Sequence, residues 1–140
     1  MSARENAQVM LDIFSAIERR DPEGFQALCH PDAEFHWPHS LPYGGVAHGL
    51  MDGRPQWTET WMPLQPTEAE RRMDARIVAA TEDEVVVLWR QRGVTPTGNR
   101  FDGPVLGLYQ VRDGQLARAE MFHFDTAALI GFLDRARRDS

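Results

Sequence analysis

The sequence contains no lysine, since all fifteen of its basic residues are arginines. A lysine amine is needed by Schiff-base aldolases, by pyridoxal phosphate sites and by Walker-type phosphate loops, so these three classes are excluded. Serine is also scarce, and none of the serines lies in a G-x-S-x-G motif. A hydrolase with its nucleophile on such a motif is therefore not expected.

Cysteine and long apolar runs are lacking as well. Cys29 is the single cysteine, so no disulfide can form within the chain. No apolar run approaches the roughly eighteen residues of a membrane-spanning helix, and the N-terminus lacks the apolar core of a signal peptide. These features predict a protein of the reducing cytoplasm. A net charge of −6 without a basic stripe argues against nucleic acid and anionic membranes as partners.

What is present indicates one globular domain over residues 1–140, with 42% hydrophobic and 26% charged residues. Apolar residues three and four positions apart predict a helix over residues 3–20. Asp21 and Pro22 then suit the N-cap and the first position of a second helix. A short strand, a shaped loop and a third helix are predicted to follow, at residues 33–38, 39–53 and 55–62.

The second half of the chain alternates apolar and polar residues and ends in a helix that Asp125-Thr126 would cap. Asp113-Gly114 between two alternating stretches is a strong hairpin signal. Helices first and an antiparallel meander afterwards make an α+β layout. The four predicted strands cover residues 73–80, 84–95, 100–112 and 115–124.

Three parts of the chain carry a family resemblance: the helix pair around Asp21, Leu41-Pro42-Tyr43-Gly44-Gly45 followed by Gly49, and Asp113-Gly114-Gln115-Leu116 leading to His123-Phe124-Asp125. In this order they resemble the nuclear transport factor 2-like superfamily, in particular its SnoaL-like branch of polyketide cyclases. The resemblance covers about residues 5–135. It implies a cone-shaped α+β roll, with a strongly curved, mainly antiparallel sheet and N-terminal helices closing the wide end. It implies a pocket rather than one chemistry, because the superfamily includes isomerases, cyclases, dehydratases, epoxide hydrolases and non-catalytic binders.

The last strand departs from the pattern of the catalytic relatives. Cyclases of this type carry an aspartate three residues before the aspartate that ends the strand, and counting back from Asp125 gives Phe122 here. Glu120 is the carboxylate on the strand face that also carries Phe122 and Phe124. The alternative role for Glu120 is an ion pair with an arginine of a neighbouring strand, and for Asp125 a helix N-cap.

The first strand offers another candidate. Related enzymes hold substrate or water with a polar side chain two residues before the proline that ends this strand, which here is His36 before Pro38. Imidazole can accept and donate a proton near neutral pH, so His36 is the first candidate base or acid and Glu120 the second. A histidine hydrogen-bonded to the loop is the alternative. The match to related enzymes predicts that the His36 face is concave and shares a cavity with Glu120 and Phe122.

Other side chains are predicted to contact substrate. Tyr43 and Trp57 are placed over the mouth of the pocket, as aromatic walls for a hydrophobic ligand. Arg90 could bind a carboxylate or enolate, with a structural ion pair as the alternative, and which face of its strand lines the pocket stays open. The full predicted set is Tyr43, Trp57, Trp61, Arg90, Phe122 and Phe124.

The leading functional hypothesis is a cofactor-independent enzyme that moves a proton beside the carbonyl of a small hydrophobic compound. Isomerisation, cyclisation or dehydration would result. His36, His39 and His48 do not match a ligand motif, so no metal is expected. A non-catalytic ligand-binding module is the alternative, favoured by Phe122, and an interaction protein that only dimerises is a third. A homodimer is expected because both faces of the strand at residues 84–95 are apolar.

Overall fold

The computed structural model describes residues 2–139, and for residues 50–55 it describes the backbone alone. Within these residues helices and strands are mixed, which confirms the α+β prediction. The helices are α1 (Ala3–Glu18), α2 (Pro22–Ala27), α3 (Leu50–Trp61), α4 (Glu68–Arg71) and α5 (Thr126–Asp139), with a 3-10 turn at Met62–Leu64. The strands are β1 (Cys29–Trp37), β2 (Gly45–His48), β3 (Arg76–Ala80), β4 (Glu84–Val94), β5 (Arg100–Arg112) and β6 (Gln115–His123).

The strands form one sheet in the order β2-β1-β6-β5-β4-β3. Every neighbouring pair in it is antiparallel except β1 and β6, which run parallel. The sheet is therefore mainly antiparallel, as predicted. The parallel pair arises because β1 comes from the first half of the chain and joins the edge of the β3–β6 meander.

The first two helices begin where local capping chemistry places them. Ser2 and Glu5 form a capping box at the start of α1, with the Glu5 amide donating to the Ser2 hydroxyl at 3.1 Å. Asp21 accepts the Gly24 amide at 2.9 Å, and Pro22 follows as the first residue of α2. No helix in the described part of the chain is both long and apolar enough to cross a membrane.

The largest differences from the predicted elements lie between β1 and β3. Strand β2 lies inside the stretch predicted as a loop, because four residues suffice once β1 supplies the pairing edge. Helix α3 begins at Leu50 rather than at Pro55. The short α4 was not predicted, and a capping box of Thr67 with Glu70 forms its first turn.

The two faces of the sheet differ in what covers them. On β4, Val85, Val87 and Trp89 are buried, and their face, here called the inner face, packs against Met10 and Ile13 of α1. The residues between them in the sequence lie on the opposite, outer face. A second core cluster forms around Trp61, whose ring stacks on Phe132 of α5 with centroids 6.1 Å apart.

Candidate functional site

A cavity of about 270 Å³ lies between the inner face of the sheet and helices α1, α2 and α3. Its walls are overwhelmingly apolar and aromatic, and this lining suits a hydrophobic small molecule. The strands contribute Phe35, Trp37, Trp89, Tyr109, Leu116, Ala119 and Met121, and the helices contribute Met10, Ile13, Phe14, Phe25 and Trp57 among others.

An aromatic stack sets which face of β1 meets the cavity. The rings of Phe35 and Trp37 stack with centroids 5.7 Å apart, and Phe25 of α2 stacks on Phe35 at 6.5 Å. Alternate residues of a strand point to opposite sides, so His36 lies on the outer face. Burying two large aromatic rings is worth more than burying one imidazole, and this decides the orientation of the strand.

The prediction that the His36 face is concave is therefore wrong. The two predicted catalytic residues lie outside the cavity. His36 and Glu120 are register neighbours on the outer face. His36 Nε2 lies 3.0 Å from Glu34 Oε1, and Glu120 lies 3.3 Å from Arg118 of its own strand. Both side chains are engaged in outer-face pairs, and neither reaches a molecule bound inside.

The other predicted contacts on the sheet also lie outside the cavity. Arg90 takes its structural alternative, with Nε donating to Asp102 Oδ1 at 2.6 Å. Phe122 and Phe124 are 55% and 86% exposed, because their side chains lie away from the helices. Asp125 accepts the Ala128 amide at 3.0 Å and so begins α5, as expected of an N-cap.

Of the predicted substrate contacts, Trp57 is the one that lines the cavity. Tyr43 and Trp61 belong instead to the second core cluster, where Trp61 Nε1 donates to the Tyr43 hydroxyl at 3.0 Å. Burial raises the pKa of Tyr43 to about 12. Their polar groups satisfy each other inside that cluster, so the prediction that they form cavity walls is corrected.

A second tryptophan–tyrosine pair does line the cavity, and the sequence reasoning missed it. Trp89 Nε1 donates to the Tyr109 hydroxyl at 2.9 Å. The Tyr109 ring lies across Gly107, where an added Cβ would be 2.1 Å from the hydroxyl oxygen, so only glycine admits this placement. Both residues share the alternation phase of Val85 and Val87, which was the available signal.

Tyr109 is a buried residue of the cavity lining, and its hydroxyl lies among apolar neighbours. Burial raises its pKa well above the ordinary tyrosine value, so the phenol stays protonated at neutral pH. Its oxygen accepts from Trp89, and no acceptor for its own proton is present among the described residues. A ligand carbonyl in the cavity would provide that acceptor.

Charged residues line the cavity where α1 turns into α2. Arg20 and Asp21 lie there, with Thr58 of α3 also in the lining. The Asp21 carboxylate accepts the Gly24 amide and lies 3.4 Å from Arg19, and the bond from Gly24 lowers the pKa of Asp21. A carboxylate that is held and stabilised as an anion in this way is a weak base.

Another titratable group near the inner face is His123, which is opposite Val105 in the ladder. Burial lowers the pKa of His123 to about 4. It is not part of the cavity lining. Over the residues whose side chains are described, no group of three or more histidine, cysteine, aspartate or glutamate residues could hold a metal ion.

Solved structures establish the class of fold. TerC, crystallised with polyporic acid, is 22% identical, with a TM-score of 0.79 and coverage of 93% of this chain and 98% of TerC. A protein with a cystatin-like fold from Xanthomonas campestris is 20% identical, with a TM-score of 0.77 and coverages of 91% and 97%. A nuclear transport factor 2-like protein from Burkholderia xenovorans is 23% identical, with a TM-score of 0.71 and coverages of 97% and 98%. At these identities the likeness shows the fold alone.

The family itself follows from the sequence match. The SnoaL-like domain matches residues 10–119, most of the chain. The chain therefore belongs to the SnoaL-like domain family, and its fold is that of the nuclear transport factor 2-like structures. No curated protein matches this chain.

Proposed function

We propose that this protein binds a small hydrophobic molecule in the cavity beneath α1, α2 and α3. The observation that carries the proposal is the lining: a cavity of about 270 Å³ walled by apolar and aromatic side chains, with the Tyr109 hydroxyl as a donor on the sheet side. Such a site favours a flat apolar body with a carbonyl acceptor. TerC, which shares this fold, has been crystallised together with polyporic acid, a small molecule.

A cavity-filling variant tests this proposal. Ala119 is 1% exposed and lines the cavity, so Ala119→Phe should occupy the ligand's space. Ala79→Phe, on an exposed position of β3, makes the same substitution outside the cavity. We expect the neutral aromatic probe 2-naphthamide to bind the wild type and Ala79→Phe, and to lose binding to Ala119→Phe. Binding that survives in Ala119→Phe would contradict the proposal.

The second candidate function is cofactor-independent acid/base catalysis on a carbonyl compound. Tyr109 favours it, because a hydroxyl that accepts from Trp89 and keeps its own proton can donate to a developing enolate. The arrangement of bases favours it less, since Asp21 is the carboxylate in the described lining and is already held by Gly24 and Arg19. Binding is therefore the first proposal and catalysis the second.

Hydrogen–deuterium exchange distinguishes the two functions without knowledge of the natural substrate. An enzyme of this kind should accelerate exchange of the methyl protons of 2-acetylnaphthalene in deuterium oxide, and Tyr109→Phe should lower that rate. A loss of about 10²–10⁴ is the usual contribution of a positioned acid or base. Exchange no faster than in buffer would contradict catalysis, and binding would then be the only proposed function of the cavity.

We also propose that two copies of the chain associate through the outer face. Leu88, Leu106 and Phe122 are consecutive in the ladder and form an apolar strip, with Leu106 and Phe122 43% and 55% exposed. The flanking ion pair of Arg90 with Asp102 carries both signs of charge, which suits a twofold, self-complementary contact.

Sedimentation tests the association. The mass that sedimentation gives for the wild type should be twice the chain mass of 15.9 kDa. The Phe122→Glu variant should have the mass of one chain. Ala127→Glu, on the exposed side of α5, should remain dimeric. A monomeric wild type at micromolar concentration would contradict the proposal.

A further inference from the structure

Arg20 and Asp21 are the charged residues among the described residues that line the cavity. Arg20 lies in the turn between α1 and α2 and lines the cavity together with Met62, which follows α3. Its Nη2 donates to Gln65 Oε1 at 2.7 Å. This hydrogen bond uses one N–H group of the guanidinium and leaves the others available to a ligand.

Gln65 also holds a second guanidinium group close by. Arg71 Nε donates to the backbone oxygen of Gln65 at 3.0 Å, and its Nη2 donates to the Pro66 oxygen at 3.2 Å. The Gln65 side chain is buried, and its Nε2 donates to the Arg92 oxygen at 2.9 Å. Two cations are thus held by neutral oxygen atoms at one place.

The hydrogen-bond partners of both guanidinium groups are neutral oxygen atoms rather than carboxylates. Neither Arg20 nor Arg71 forms an ion pair with a described carboxylate, whereas Arg19, Arg90 and Arg92 each do. Burial, and then the charge of Arg71, lower the pKa of Arg20, so this environment disfavours a lone cation. A guanidinium nevertheless stays protonated at neutral pH.

The backbone conformation at Arg20 decides which substitution can test its side chain. Its φ is 59°, in the left-handed region that glycine adopts most easily at the end of a helix. This conformation ends α1, and the Asp21 amide there donates to the Ala16 oxygen at 2.9 Å. In Arg20 the side chain is a half-buried cation facing the cavity.

We propose that Arg20, supported by Arg71, binds the anionic group of the cavity's ligand, which makes that ligand a hydrophobic organic carboxylate. The inference rests on the proposed binding function and adds the ligand class. A guanidinium fork matches the two oxygen atoms of a carboxylate. The apolar body of the ligand lies against Trp57 and the strands, and its carboxylate lies beside Arg20.

Two probes of the same shape and different charge test the proposal: 2-naphthoate and 2-naphthamide, titrated by calorimetry at neutral pH and low salt. The wild type should bind 2-naphthoate about tenfold more tightly than 2-naphthamide. Arg20→Gly should lower the affinity for 2-naphthoate much more than the affinity for 2-naphthamide, and so abolish this preference. Because glycine suits the left-handed backbone, Arg20→Gly should remain folded, as its thermal melt will show.

Arg19→Gln is the matched control, since it removes one positive charge from the neighbouring residue. It should keep the preference for 2-naphthoate, and high salt should reduce that preference in the wild type. Equal affinities of both probes for the wild type would overturn the anion site while leaving the binding function intact. Equal loss of both probes in Arg20→Gly, or loss of the preference in Arg19→Gln, would also overturn the site. Failure of both probes to bind the wild type would overturn the binding function itself.

Discussion

Polar side chains on the two faces of the sheet have different kinds of partners and different exposure to water. On the inner face Trp89 and Tyr109 satisfy each other by one neutral hydrogen bond inside apolar surroundings. On the outer face Arg90 pairs with Asp102, and His36 with Glu34, where water still reaches them. A single strand, β4, supplies both Trp89 and Arg90. Adjacent residues of one strand therefore line the cavity and form part of the opposite, outer face.

This difference predicts which substitutions should change the stability of the protein most. When one member of a neutral pair in an apolar interior is removed, water cannot replace it as a hydrogen-bond partner. In an exposed ion pair water can do so. Changes to the inner face should therefore cost more stability than changes to the outer face.

Gly107→Ala should have the largest effect. The new methyl group would lie 2.1 Å from the Tyr109 hydroxyl, so the ring must move and Trp89 loses its acceptor. Overpacking combined with an unsatisfied buried donor should lower the free energy of unfolding by about 3 kcal/mol. Urea unfolding would measure it.

Gly131→Ala is the control for that variant. Gly131 lies in α5 with open space around its Cβ direction. Alanine favours a helix interior over glycine, so stability should rise by up to about 1 kcal/mol. Equal destabilisation by the two variants would refute the steric argument at Gly107.

Stability should fall on mild acidification because of His123. Burial holds its pKa at about 4, against 6.5 for an ordinary histidine. Between these values the unfolded chain binds a proton that the native protein does not, so the free energy of unfolding falls as pH falls through that window. From about pH 7 to about pH 5 the loss should be about 2 kcal/mol, measured by urea unfolding.

His123→Gln should remove most of this pH dependence, because its buried amide does not titrate. His39→Gln, in an exposed loop, should keep it. An unchanged slope in His123→Gln would show that another group carries the effect.

Tyr109→Phe should cost less than Gly107→Ala, because the ring keeps its place. The Trp89 indole N–H is left without an acceptor, which should cost about 1–2 kcal/mol. The matched variant Tyr43→Phe removes the acceptor of the Trp61 indole N–H in the second core cluster. It should lower the free energy of unfolding by a similar amount. Only Tyr109→Phe should weaken binding of a ligand that carries a carbonyl.

His36→Gln should have the smallest effect. It removes a pair with Glu34 that is partly open to water, so the free energy of unfolding should change by less than about 1 kcal/mol. The affinity of 2-naphthamide for the cavity should stay the same. A large loss of binding would place His36 in contact with the ligand and contradict the assignment of the faces.

Much of the fold could be predicted because the signals are local. The alternation of β4 and β5 and the turn at Asp113-Gly114 depend on residues adjacent in the sequence, and the same holds for the N-caps Asp21 and Asp125. Strand β2 could not be predicted in this way, since its four residues acquire strand geometry only by pairing with β1.

The candidate site was harder, because strand parity states which residues share a face and not which face is inward. Glu120 and Phe122 were correctly placed on one face, and the chemistry of relatives then assigned that face to the cavity. The stack of Phe25, Phe35 and Trp37 reverses the assignment. The role of Arg20 could not be predicted from the sequence, because its side chain is held by Gln65, forty-five residues away.

By itself, the sequence determined the α+β class, the helix caps, the strands of the second half and the exclusion of lysine chemistry, because each depends on composition or on neighbours along the chain. Only the tertiary structure decided which face of the sheet is inward, which tryptophan–tyrosine pair lines the cavity, and that an arginine without a described carboxylate partner lines it too. These properties depend on burial and on contacts between distant residues, and the free energy of packing the large aromatic rings outweighs any local preference of the side chains beside them.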